Sequence, residues 1–224
     1  NLEISCKCLS LIFGWMVHSA SLETSRTATT EGSFVRNMFD EYGRAVMKAG
    51  VRCGGEKFGY YKDQRDAPKS LLGELWHLIR LMKEKLNDVW EGLNDFSSDE
   101  DLMVHKEDQE FSVDYAKQRL ADSKKLDESV QTLRAFSNLY FSAGASTTMH
   151  TDYNKIALQA YFGNFSGRRL ILPTLCIAME LHGGDVVLMD SNRIPHCSTL
   201  EHKGESFMFA FYNSSIGDRG ALKG

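Results

Sequence analysis

His150 and Asp152, one residue apart in Met149-His150-Thr151-Asp152, and a distant His196 in Pro195-His196 carry the side chains of a metal-ligand set. In a β-strand successive side chains alternate faces, so residues spaced by two point to the same side and can close on one ion. His196, arriving from another strand, completes a face of two imidazoles and one carboxylate. On an octahedral ion that face leaves the other positions open for a cosubstrate and O₂, an arrangement suited to non-haem Fe(II). An H-x-D pair alone is a weak signal in a chain with 7 His and 30 acidic residues. The competing reading makes His150 a polar strand-end residue and His196 a loop cap.

Short strands must position these ligands. Tyr161 to Gly167 leads into Arg169-Leu170-Ile171-Leu172-Pro173, then Cys176 to Leu181, then His182-Gly183-Gly184-Asp185 and Val186 to Asp190. Apolar runs separated by Gly and Pro turns predict an antiparallel β-sandwich or barrel. The Gly183-Gly184-Asp185 turn feeds a strand ending just before His196, so the ligands sit at the ends of strands bracketing two or three others, as a closed double-sheet fold requires.

Residues from about Asn138 to Tyr212, a third of the chain, resemble the double-stranded β-helix (jelly-roll) core of the Fe(II)/2-oxoglutarate dioxygenase superfamily. Asn138-Leu139-Tyr140, then Gly144 and His150, resemble the N-x-Y, G and H-x-D entry of AlkB-like members. Gly184-Asp185-Val186-Val187 with Ser191 and Pro195-His196 resembles their G-D-V and H block, and Phe207 to Tyr212 the final core strand of TET/JBP-like nucleobase oxygenases. The resemblance implies an α+β fold with His150, Asp152 and His196 as iron ligands. It places the Asn138 and Tyr140 side chains on 2-oxoglutarate. The implied activity is oxidation of a C–H bond with Fe(II), 2-oxoglutarate and O₂, with a methylated nucleobase in nucleic acid as the first substrate guess. Hydroxylation of a protein side chain or small molecule stands beside it, as does a non-catalytic β-sandwich binding module.

The module reading draws on one departure from the pattern. Most members of the superfamily carry an Arg on the final strand whose planar fork clamps the far carboxylate of 2-oxoglutarate. Ser206 stands at the matching position, and a hydroxyl cannot supply that charge. Nearby cations are Lys155, Arg168, Arg169, His202 and Lys203, each more often a solvated surface charge. Arg169 is the preferred replacement, because it opens an apolar strand whose alternation can turn a long side chain inward.

The length of 224 residues and 42% hydrophobic content suit one domain spanning 1–224, with a mainly helical support region over 1–133 and the β-sandwich core over 134–214. A net charge of −4 and a pI near 6.0 lack the bulk basic character of a tight nucleic-acid binder. Five Cys (Cys6, Cys8, Cys53, Cys176, Cys197) form no even framework and no C-x-x-C pair, which reads as free thiols in an intracellular compartment, nucleus or cytoplasm. The apolar run Cys8 to Val17 is too short to span a bilayer and reads as a buried element packed on the sandwich; Glu23 to Gly32 reads as a loop.

Helical periodicity appears in Phe34, Met38, Phe39, Tyr42, Val46 and Met47, and again from Leu71 to Trp90, where Trp76 and Trp90 read as core. Between these helices, Gly54 to Gly59 reads as a turn beside an aromatic and basic patch of Tyr60, Tyr61, Lys62 and Arg65, suited to a nucleic acid or to an ordered surface loop. Asn94 to Glu110, crowded with acidic residues, is expected to be an exposed loop, with a third helix over Val113 to Leu133.

Overall fold

Strand parity organises the chain from Tyr140 to Ala210. In the computed structural model, residues 45–54, 57–60, 69–122, 135–144, 147, 149–152, 156–199 and 203–213 are described. The chain forms two compact units. One contains Tyr140–Asp152 and Leu158–Ala210; the other contains Lys48–Leu139, Tyr153–Ala157 and the chain from Phe211.

Strands run in the order β3 (Asn138–Ala143), β11 (Phe207–Tyr212), β4 (Ile156–Phe162), β8 (Val186–Asp190), of which the first unit contains 140–143, 207–210, 158–162 and 186–190. A second sheet runs β7 (Ile177–Glu180), β6 (Arg169–Leu172), β9 (Cys197–Ser198), with β6 antiparallel to both neighbours. Two short strands, β5 (Phe165–Ser166) and β10 (Lys203–Gly204), pair beside them. The core lies between the sheets. Leu170 and Leu172 of β6 meet Tyr161 of β4, Met189 of β8 and Met208 of β11, with Tyr140, Met179 and Val187 packed against them. Burying this apolar surface on the inner faces is what holds two sheets together.

The Gly183-Gly184-Asp185 turn forms as the sequence predicts. The Asp185 carboxylate accepts the His182 N–H at 2.6 Å, Gly184 has φ 103°, and the Asp185 carbonyl accepts the Tyr161 N–H at 2.9 Å. Close backbone approach makes two glycines obligatory. A methyl on Gly183 would collide with the Gly163 carbonyl oxygen, and one on Gly163 (φ 108°) with that of Glu205. Gly163→Ala should therefore destabilise the protein by about 2–3 kcal/mol, read as a lower denaturant midpoint.

The second unit pairs a hairpin and two helices with strand ends. β1 (Ala45–Gly54) and β2 (Lys57–Tyr60) are antiparallel. The helix expected over Phe34 to Met47 is corrected where it is described: Val46 and Met47 lie in β1. Its β-branched valines and pairing with β2 suit a strand, and six apolar positions did not separate the two periods.

Helix α1 (Lys69–Glu91) matches the periodicity, burying Leu75, Leu78, Ile79, Leu86 and Trp90. Trp76 is buried too, and Trp90 meets Phe136 edge-on at 5.2 Å. The acid-rich segment is not a loop. After a 3₁₀ turn (Gly92–Phe96), helix α2 runs Glu100–Asp122. Asp99 caps it by accepting the Leu102 N–H at 2.9 Å, and Glu100 and Asp101 occupy the first turn, where the helix dipole favours negative charge. Lys106 bridges to Glu110 at 3.1 Å and Trp90 donates to the same carboxylate at 2.9 Å, so charge density that looked repulsive is partly internally paired. The expected third helix is the C-terminal part of α2, and its continuation beyond Asp122 lies outside the described residues. So do the apolar run Cys8 to Val17, the loop from Glu23 to Gly32, and Tyr61, Lys62 and Arg65. Among the described residues no helix is long and apolar enough to cross a membrane.

Candidate metal centre

The sheet edge beyond β9 brings two histidines together. His150 and His196 form an antiparallel bridge: the His150 N–H donates to the His196 carbonyl at 3.1 Å and the His196 N–H to the His150 carbonyl at 2.9 Å. Paired opposite one another, the rings project to the same side, 4.3 Å apart between centroids. Asp152, two residues on and outside any strand, brings its carboxylate to the same two rings. Its Oδ1 lies 3.6 Å from His150 Nε2 and its Oδ2 lies 3.9 Å from His196 Nε2. One donor atom from each of the three falls within 4.8 Å of the others.

The donor chemistry fits a divalent metal. Donors about 2.1 Å from an ion, at right angles, stand about 3 Å from one another, so small side-chain rotations close the observed spacing. His196 is buried, and its Nδ1 stands 2.9 Å from the Ile194 carbonyl. That contact assigns the proton to Nδ1 and leaves Nε2 bare toward His150 and Asp152. Burial holds the His196 imidazole below its ordinary pKa and His150 adds to this, while the Ile194 bond and the Asp152 carboxylate oppose it. A neutral imidazole is the form that binds metal.

The same compact unit holds a buried cation, Arg168. Leu170 and Leu172 face the core, so the two-residue period turns Arg168 inward and Arg169 outward. Arg168 is 2% exposed, whereas Arg169 is exposed at the start of β6. The inward turn expected of Arg169 is thereby corrected. The first residue of the strand is not an inward one, because the leucines that set the parity lie on the opposite register. Arg168 Nη1 donates to Ser206 Oγ at 2.6 Å, and its guanidinium lies over the Tyr161 ring, 5.5 Å from the centroid. Ser206 is buried just before β11. The residue just before β6 therefore brings a guanidinium to Ser206, just before β11.

Tyr140 links the two groups. Burial raises its phenol far above the ordinary value, with the Arg168 charge opposing and the Asp152 carboxylate reinforcing the rise, so it stands within electrostatic reach of both. Burial pushes Tyr161 up to about 12, again opposed by Arg168, and it lowers the Arg168 guanidinium, with Tyr161 and Tyr140 acting the other way. Both phenols are neutral donors beside a charged guanidinium. Asn138 is buried at the first position of β3, within the second unit. Of the other candidate cations, Lys203 is exposed on β10, and Lys155 and His202 lie outside the described residues. Arg193 pairs with Asp190 at 3.7 Å, and Cys197 is a free, half-buried thiol on β9.

No family model and no curated protein matches this chain. Among solved structures, NgTET1 in complex with 5mC DNA aligns over 96% of this chain and 75% of its own length, with 14% identity and a TM-score of 0.50. This chain has a double-stranded β-helix fold. Partial likenesses include the polyketide cyclase RemF from Streptomyces resistomycificus, 13% identical over 36% of this chain and 56% of that one, TM-score 0.28. A cupin-like protein from Thermotoga maritima is 17% identical over 36% of this chain and 60% of that one, TM-score 0.29. The match to each of these two spans less than two thirds of its length. In this double-stranded β-helix the His-Asp-His cluster lies at one edge of the β7-β6-β9 sheet.

Sequence reasoning named Arg168 among the nearby cations but preferred Arg169, and it missed Ile194 as the carbonyl facing His196 and the turn whose Ser191 carbonyl and Asn192 amide hold the main chain of Asp152. The first was legible in the leucine parity. The other two depend on backbone carbonyls and on the path of a turn, which no side-chain pattern encodes.

Proposed function

We propose that this chain is an Fe(II)/2-oxoglutarate-type dioxygenase that oxidises a C–H bond, with a methylated nucleobase in nucleic acid as its first candidate substrate. One observation carries the reading: a His-Asp-His donor set within 4.8 Å, with a buried guanidinium in the same compact unit. His150, Asp152 and His196 would hold the iron. When bound, Fe(II) with 2-oxoglutarate and O₂ supplies the oxidation of a substrate C–H bond as 2-oxoglutarate goes to succinate and CO₂.

The chain's own residues do the rest. The Nδ1–H of His196, held on the Ile194 carbonyl, keeps its Nε2 lone pair aimed at the site. Arg168 offers paired donors to the far carboxylate of the cosubstrate, with Ser206 holding one arm of its fork. The neutral phenol of Tyr140 supplies a further donor. Arg168 is buried, so bulk water is kept from the guanidinium, where a charge-assisted hydrogen bond is stronger than in water. A cation at the Ser206 position answers the departure that favours a non-catalytic module.

NgTET1 was solved bound to 5mC DNA, and the fold likeness to it supports a nucleobase as the substrate. The net charge of −4 favours a second reading, in which the oxidised C–H belongs to a protein side chain or a small molecule. Anaerobic addition of Fe(II) and 2-oxoglutarate should produce a metal-to-ligand charge-transfer band, and O₂ should then release succinate. Mass spectrometry of methylated oligonucleotides from the same mixture decides the substrate: succinate with unchanged bases removes the nucleobase and leaves the second reading.

A further inference from the structure

The two histidines and the aspartate are held by different means. His150 and His196 are locked by reciprocal backbone hydrogen bonds, but that ladder stops at His150, and Asp152 lies in no strand. The turn after β8 holds it instead. The Ser191 carbonyl accepts the Asp152 N–H at 2.8 Å, and the Asn192 side-chain amide donates to the Asp152 carbonyl at 2.8 Å. Both backbone polar groups of Asp152 are thus gripped by two consecutive residues.

The turn is organised by Asp190. Its Oδ1 accepts the N–H of Asn192 at 3.2 Å and of Arg193 at 3.0 Å, and its carbonyl accepts the Ile194 N–H at 3.0 Å. This is the local side-chain-to-backbone geometry in which aspartate replaces a turn's own hydrogen bonds. The same turn presents the Ile194 carbonyl to His196 Nδ1. The turn from Asp190 to Ile194 therefore sets the Asp152 carboxylate against both imidazoles.

We propose that Asn192 is a positioning residue for Asp152, acting through the Asp152 main chain, with the Asp190 carboxyl as the cap that aims its amide. This inference rests on reading His150, Asp152 and His196 as metal ligands. The Asp152 side chain is about one-third exposed, so solvent competes for the carboxylate whenever its backbone is free to turn. Asn192 is exposed, and its truncation leaves no cavity in the core.

The test is anaerobic Co(II) titration of the metal-free full chain, following the d–d absorption and the heat of binding. Asn192→Ala should weaken Co(II) binding about 10-fold, the scale for losing a group that orients a ligand, with the melting temperature of the metal-free protein unchanged. Asp190→Ala, which releases the Asn192 amide without altering it, should weaken binding similarly. Asp190→Asn keeps an Oδ1 acceptor and should restore it, while Arg193→Ala should bind as the parent does. If Asn192→Ala and Asp190→Ala bind Co(II) like the parent, or if Asp190→Asn is as weak as Asp190→Ala, the inference is overturned and the metal site stands. If the parent chain binds no Co(II), the ligand reading and this inference fall together.

Discussion

His150→Ala should give a folded protein that no longer holds iron. The bridge to His196 runs through backbone N–H and carbonyl groups, which the substitution leaves in place. The loss is confined to one of three donor atoms that converge within 4.8 Å. Removing a direct ligand should weaken Fe(II) or Co(II) binding by more than about 100-fold, beyond the range for groups that only orient ligands. Equilibrium dialysis against Co(II) with atomic absorption measures this, and circular dichroism checks the fold. Retention of metal at parental affinity would remove the three-residue site and the oxygenase reading built on it.

Arg168→Met should lower 2-oxoglutarate affinity by about 100-fold. Hydrogen bonds to charged groups contribute roughly 1.5–3 kcal/mol each, and a paired carboxylate clamp loses two of them, of which about 3 kcal/mol corresponds to that factor. Arg169→Ala should change the affinity by less than about 2-fold, because that side chain faces solvent and an exposed charge contributes little. Arg168→Lys should fall between, since it keeps the charge but loses the planar fork. The measurement is 2-oxoglutarate titration of the Fe(II)-loaded protein by its charge-transfer band. Burial already disfavours the charged guanidinium in the fold, so Arg168→Met should cost little stability while it loses cosubstrate. Equal effects of Arg168 and Arg169 would mean that neither is the clamp.

The double-stranded β-helix was readable because its strands are short, apolar and punctuated: Gly183-Gly184-Asp185 formed its turn, and Phe207 to Tyr212 formed β11. The helix over Leu71 to Trp90 was readable because its buried residues recur over successive turns at helical spacing. Misreadings occurred where one local signal had two physical outcomes. Val46 and Met47 fit either period, and their place in β1, a strand whose other end pairs with β2, settled the matter. Charge density in Asn94 to Glu110 opposes packing only when the carboxylates find no cap, dipole or cation; Asp99, the first turn of α2 and Lys106 supplied all three.

Residue types by themselves determined that two imidazoles and one carboxylate are on offer as metal donors, since donor chemistry belongs to the side chain and needs no knowledge of neighbours. Only the tertiary structure decided which arginine enters the core, because the inward register of β6 is set by where Leu170 and Leu172 find apolar partners on the opposite sheet. It also decided how Asp152 is held: the groups that grip its peptide, the Ser191 carbonyl and the Asn192 side-chain amide, come from a turn about forty residues away, and no local pattern encodes that approach.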